Sequence, residues 1–155
     1  MKIFKLMVAV ITMAAIWVFA MAPIEGRASS ETPLFKDYQV AEVRPLEVPQ
    51  NVAAPGSEGR AIADEIVIQI GRYNAKFNLF EMVILEGAQK VPPGKKVLLV
   101  KGRVTAYSPN NTCAVHCQFV DKATGRVLHE IDAKGFRFRV ANYIAKVIYQ
   151  NKVGK

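Results

Sequence analysis

Cysteine is scarce: Cys113 and Cys117 are the only two in 155 residues, and there is a single tryptophan. Two thiols cannot staple a chain of this length, which excludes a disulfide scaffold. Ten glycines and eight prolines without a period exclude a collagen-like repeat. A hydrophobic content of 51% excludes a disordered chain. Local signatures of familiar catalytic sites are also missing, with no G-x-S-x-G elbow, no H-E-x-x-H pair and no P-loop. No internal repeat is present. Acidic residues are absent before Glu25 and again after Asp132.

What is present is unevenly distributed. The formal net charge of +8 comes from 21 Lys/Arg against 13 Asp/Glu. Lys2 and Lys5 supply two of those charges. Six more follow Asp132, on Lys134, Arg137, Arg139, Lys146, Lys152 and Lys155, while the body between is balanced. Hydrophobicity is just as local. From Leu6 to Ala22 the only polar residue is Thr12. A basic start followed by such a run is the pattern of a secretion signal. Its length lies between an ordinary signal core and a membrane span of ~20 residues. Residues 1–22 therefore read as a cleaved signal peptide, with exits after Ala20, Ala22 or Ala28, or as an uncleaved N-terminal anchor. Either assigns the chain to the periplasm or cell envelope.

Residues 23–36 read as a linker, rich in Pro, Gly, Ser and Thr. Residues 37–152 have the length of a single domain. Periodicity predicts the order β-α-β-β-β-β-α, an α/β (α+β two-layer) fold. Its sheet is mixed and mostly antiparallel, with two helices packed on it. The first strand, from Tyr38, is stopped or pushed to an edge by Pro45. Ser57 is expected to cap a helix with Ile62, Ile66, Ile70, Tyr73 and Phe77 on one stripe, and Gly71 to fray or bend its far end. Strands follow at Phe80–Leu85 and Lys96–Tyr107, with Gly102 marking a bulge. Cys113, Val115, Cys117 and Phe119 alternate along the next strand. A hairpin at Asp121–Gly125 returns through Arg126–Ile131. Val140, Ile144, Val147 and Ile148 line one face of the last helix, and Arg139, Asn142, Lys146 and Gln150 the other.

Two segments carry a family resemblance. Val100-Lys101-Gly102-Arg103-Val104-Thr105-Ala106-Tyr107-Ser108-Pro109 and Phe119-Val120-Asp121-Lys122-Ala123-Thr124-Gly125-Arg126-Val127-Leu128, behind an export signal, a strand and a helix, resemble the bacterial envelope proteins grouped as domain of unknown function 4410. Many of those proteins are lipoproteins. The lipobox cysteine is absent here. The resemblance implies an exported α/β module without established catalysis.

Candidate chemistry is sparse. Cys113 and Cys117 read as core thiols, as a disulfide, or as a metal or nucleophilic site. On a regular strand they lie ~13 Å apart, beyond the reach of a disulfide, unless a bulge draws them together. Metal binding needs about four ligands, more than these two thiols and His116 supply. Asp64 and Glu65 are neighbours on a helix and point apart, so they form no acid–base pair. Lys134-Gly135-Phe136-Arg137-Phe138-Arg139-Val140 matches part of the RNA-recognition signature, but Arg137 and Arg139 stand where a small residue and a valine belong. Behind an export signal, nucleic acid is not expected. Aromatic packing into the start of the last helix is the favoured account of this segment.

The leading expectation is a non-enzymatic binding or assembly module of the envelope. It would use Lys134, Arg137, Arg139, Lys146 and Lys152 toward a protein partner or an anionic surface. The alternative is a periplasmic thiol/redox- or ligand-responsive protein using Cys113 and Cys117. No cofactor is expected, and the oligomeric state is open. Membrane association would run through an uncleaved N-terminus. Envelope fractionation is expected to recover the chain outside the cytoplasm; a cytoplasmic pool alone would overturn the export reading.

Overall fold

The structure is a computed structural model describing residues 32–155. The expected signal or anchor, and the linker up to residue 31, lie outside the described residues. The elements are β1 (Val40–Val43), α1 (Glu58–Phe77), β2 (Met82–Leu85), β3 (Val97–Ser108), β4 (Thr112–Asp121), β5 (Val127–Phe136) and α2 (Arg137–Val153). This is the expected order, in the expected α+β two-layer fold. The five strands form one mixed sheet in the order β2-β1-β3-β4-β5. β1 runs parallel to β2 and β3, whereas β3-β4-β5 is an antiparallel meander.

Alternation along β4 decides which face meets the helices. Cys113, Val115, Cys117 and Phe119 all point inward and are buried. They join Ala41 and Val43 of β1, and Leu98, Val100 and Val104 of β3, in one apolar core. Both helices close this core from the same side. α1 contributes Ile62, Ile66 and Ile70, and α2 contributes Val140, Ile144, Val147 and Ile148. These are the stripes that the 3.6-residue period requires. The opposite face of the sheet carries no helix among the described residues.

Several local features differ from expectation. Phe35, assigned by composition to the linker, is fully buried, with its ring 5.3 Å from that of Phe119. Its N–H donates to the carbonyl of Asn151 at 2.9 Å, tying the segment before β1 to the end of α2. Pro45 ends β1 but does not place it at an edge: β1 lies inside the sheet, between β2 and β3. Ser57 makes no side-chain cap to α1. α1 runs unbroken past Gly71 to Phe77 and closes on Asn78 in the left-handed region. Packing of the apolar stripe outweighs the modest propensity cost of one glycine. The return strand β5 extends beyond Ile131 to Phe136 because β4 offers a pairing partner along its whole length.

Gly102 is not the bulge. The register of β3 against β4 shifts between Val104 and Ala106 instead. At Gly102 the strands approach so closely that a Cβ would sit 2.2 Å from the carbonyl oxygen of His116. Gly59 has the same role at the start of α1, where a Cβ would fall 1.8 Å from the carbonyl oxygen of Leu46. Gly71 faces open space. Gly59→Ala is therefore expected to lower stability by ~2 kcal/mol or more through overpacking. Gly71→Ala should raise it by ~0.5–1 kcal/mol. Urea unfolding midpoints of the two variants check the opposite signs.

Candidate functional site

The two thiols lie on the inner face of β4, and both are free. β4 pairs with β5 in unbroken register from Thr112 to Phe119, so no bulge shortens the strand between the cysteines. They keep the ~13 Å of four extended residues, beyond disulfide reach. The Cys113–Cys117 bond held open by the sequence is thus not formed here. Burial pushes the Cys117 thiol up to about 12. It also raises Cys113, helped by the nearby Glu58 carboxylate and opposed by Arg137. Both shifts favour the thiol over the thiolate, the nucleophilic form. Among the described residues no group of three or more His, Cys, Asp and Glu side chains converges in an arrangement that could hold a metal ion.

The five basic candidates do not form one patch. Arg137 stands at the start of α2 and is engaged inward: Nε and Nη2 donate to the two carboxylate oxygens of Glu58 at 3.1 and 2.8 Å. The Glu58 side chain is only 4% exposed and that of Arg137 38%, so a half-buried pair joins the first turns of the two helices. The hydrogen bonds it donates to Glu58 hold the guanidinium of Arg137 above its ordinary range. Lys152, ~22 Å along the helix, is also committed. Its ammonium donates to the carbonyls of Lys36 and Tyr38 and sits 4.9 Å above the Phe80 ring. Burial lowers its pKa, with Asp37 acting in the other direction. Lys134 projects from β5 on the open face of the sheet, level with Ala114.

Arg139 and Lys146 remain, and α2 brings them together. With Asn142 and Tyr143 between them at helical spacing, they form an exposed stripe on the side away from the core. The stripe begins at Phe138, and no acidic residue occurs anywhere on α2. Phe136 and Phe138 were expected to pack inward, but they are 44% and 54% exposed. Their rings stack on each other with centroids 6.4 Å apart and planes inclined by 10°, and Arg139 lies 5.8 Å over the Phe138 ring. The physical reason is register. Phe136 falls on the outward row of β5, opposite Thr112, and Phe138 precedes the buried pair Val140 and Ala141.

The open sheet face is the feature that composition conceals. Around a small buried apolar set, Val40, Ile84, Leu99 and Val120, it bears cross-strand polar pairs. Arg44 grips Glu86 through two bonds of 2.8 and 2.6 Å, and both oxygens of Glu42 accept from Lys122 at 2.6 and 2.8 Å. Gln118 donates to Glu130 at 2.7 Å, and His116 Nδ1 lies 3.0 Å from Asp132. A shallow polar cleft of about 230 Å³ opens here, lined among others by Arg44, Lys101, Arg103 and His116. Period-two alternation placed His116 outward. It contained no signal that Lys101 and Arg103 would converge with Arg44 across β1 and β3.

No family model matches the chain, and no curated protein does. The resemblance to domain of unknown function 4410 rests on its strand and hairpin segments alone. Among solved structures the chain is similar to the PelC dodecamer from Paraburkholderia phytofirmans, at 13% identity over 78% of this chain and 92% of that one, with a TM-score of 0.49. It is also similar to protein XCC0632 of family DUF330 from Xanthomonas campestris, at 9% identity, 77% and 87% coverage and a TM-score of 0.47. Lipoprotein GNA1162 from Neisseria meningitidis matches at 15% identity, 72% and 95% coverage and a TM-score of 0.33. Likeness at this level transfers neither a family nor a function to this chain.

Burial makes the thiols testable. Under non-reducing conditions the denatured protein is expected to titrate two thiols, and the folded protein at pH 8 almost none with an aromatic disulfide reagent. A single reversible disulfide would instead support the redox reading.

Proposed function

We propose that this chain is an exported, non-enzymatic envelope module that docks onto an anionic partner through the outer stripe of α2. The observation that carries the reading is the stripe itself: Phe138, Arg139, Tyr143 and Lys146, exposed together on a helix without a single carboxylate. Two exposed aromatic side chains add area and two cations add attraction, a combination suited to a surface rich in carboxylates or phosphates. Further support comes from the N-terminal sequence, whose basic start and apolar run direct a chain out of the cytoplasm. Arg137 and Lys152 belong to the fold rather than to the contact, because each is already satisfied internally. Lys134 faces a different side and is not part of the stripe. No helix among the described residues is long and apolar enough to cross a membrane, so the stripe would act at a surface.

Reversal of charge at Arg139 and Lys146, as Arg139→Glu with Lys146→Glu, is expected to weaken envelope retention several-fold and to leave the thermal midpoint within a few degrees of the parent. Raising salt on the parent protein should mimic the loss, since exposed charge contacts are screened. Unchanged retention in the double variant would overturn the assignment. Loss of retention in Arg137→Gln with an unaltered midpoint would do so too, by showing that Arg137 serves the contact rather than the fold.

A further inference from the structure

The sheet has two edges, and they differ. β2 is four residues long and lies between Glu81 and Glu86, a short charged edge of the kind that resists pairing. β5 is ten residues long, contains no proline, and among the described residues pairs with β4 alone. Its one irregularity, where Phe119 and Val120 of β4 meet it, lies at the far end from α2. From His129 to Phe136 the outer edge is a regular template for another strand.

The side chains on the open face of that edge read Val127, Glu130, Asp132, Lys134, Phe136. This row complements its own reversal. When a second β5 is laid antiparallel with the two-fold axis at Asp132, Glu130 stands opposite Lys134 of the second copy, and Lys134 opposite its Glu130. Phe136 arrives opposite Leu128 of the second copy, with Val127 next to it, at both ends. Val127 and Phe136 are 42% and 44% exposed, so each end offers apolar area with no cover. Asp132 meets its own counterpart, but each Asp132 carboxylate already faces a His116 ring at 3.0 Å. An axis through this position keeps all helices on one side and joins the two sheets into one.

We propose that the chain forms a homodimer by antiparallel pairing of β5 with β5 of a second copy, centred on Asp132. Main-chain hydrogen bonds supply the attraction, and the two Glu130–Lys134 pairs set the register. Neither Arg139 nor Lys146 takes part; the pairing meets the docking stripe only where the Phe136 ring stacks on Phe138.

Site-specific crosslinking of the full chain in cells tests it. The Asp132 side chain is 85% exposed, so Asp132→Cys leaves the fold intact, and the native thiols are buried. Directly opposed positions lie ~5 Å apart in such a pair, within reach of a short bismaleimide. Asp132→Cys is expected to give a species of doubled mass, whereas Arg60→Cys, on the outside of α1, gives none. Adding Lys134→Glu should lower the yield several-fold, and adding Glu130→Lys to that variant should restore it, because the pair is reversed in both copies. A monomer throughout, equal crosslinking at Arg60→Cys, or failure of the charge swap to rescue would each overturn the pairing.

Discussion

Both helices press on the same face of the sheet, and most of the molecule follows from that arrangement. One face must be apolar along every strand, which β4 achieves with Cys113, Val115, Cys117 and Phe119. The other face carries no helix among the described residues, and around buried Val40, Ile84, Leu99 and Val120 it has to satisfy its own polar groups. It does so with long side chains whose charged ends meet across strands: Arg44 with Glu86, and Glu42 with Lys122. Glu42 is the extreme case, with a side chain 3% exposed beneath a lysine that is 41% exposed. Removing Lys122 would leave the Glu42 carboxylate buried without its partner, and an uncompensated buried charge typically costs ~3–5 kcal/mol.

The same constraint explains where charge is structural and where it is free. Glu58 and Arg137 sit where the two helices begin side by side, and their bidentate pair connects elements 79 residues apart in sequence. Tyr38 and Asp121 do the same at the opposite end of the sheet, where the phenol donates to the carboxylate at 2.8 Å. That bond is the main reason the Asp121 carboxyl titrates below its usual range, with Thr124 and Ala123 amides assisting. Burial first, and Asp121 second, push Tyr38 up to about 12. Positive charges left over from such pairings, Arg139 and Lys146, lie on the outer side of α2. The edge strand β5 presents both signs in an order that complements its own reversal.

Much of the fold was legible in the chain. Period two at Cys113–Phe119 and period 3.6 at Ile62–Ile70 and Val140–Ile148 located a strand and two helices, because burial on one face imposes those spacings directly. Boundaries that depend on a partner were not legible. β5 was expected to stop at Ile131, but β4 keeps pairing with it to Phe136. Phe35 looked like linker because its polar neighbours dominate the composition, and only the closeness of Phe119 makes it core. The basic tail was visible as six charges, yet nothing in their spacing showed that Glu58 would claim one and the backbone carbonyls of Lys36 and Tyr38 another.

By itself the sequence determined the order of elements, the apolar faces and the concentration of charge at the two ends, since each is a property of residues close together along the chain. Only the tertiary structure decided three other matters: which long strand edge, among the described residues, pairs on one side alone, which cations are engaged by the fold, and that the two cysteines are buried and apart. Each of those depends on residues far apart in sequence meeting in space, and hydrophobic periodicity carries no information about such meetings. The scarcity of cysteine has the same lesson. Two thiols on one strand read as core residues, a disulfide or a reactive site; burial on the covered face raises both pKa values, and the regular strand keeps them apart.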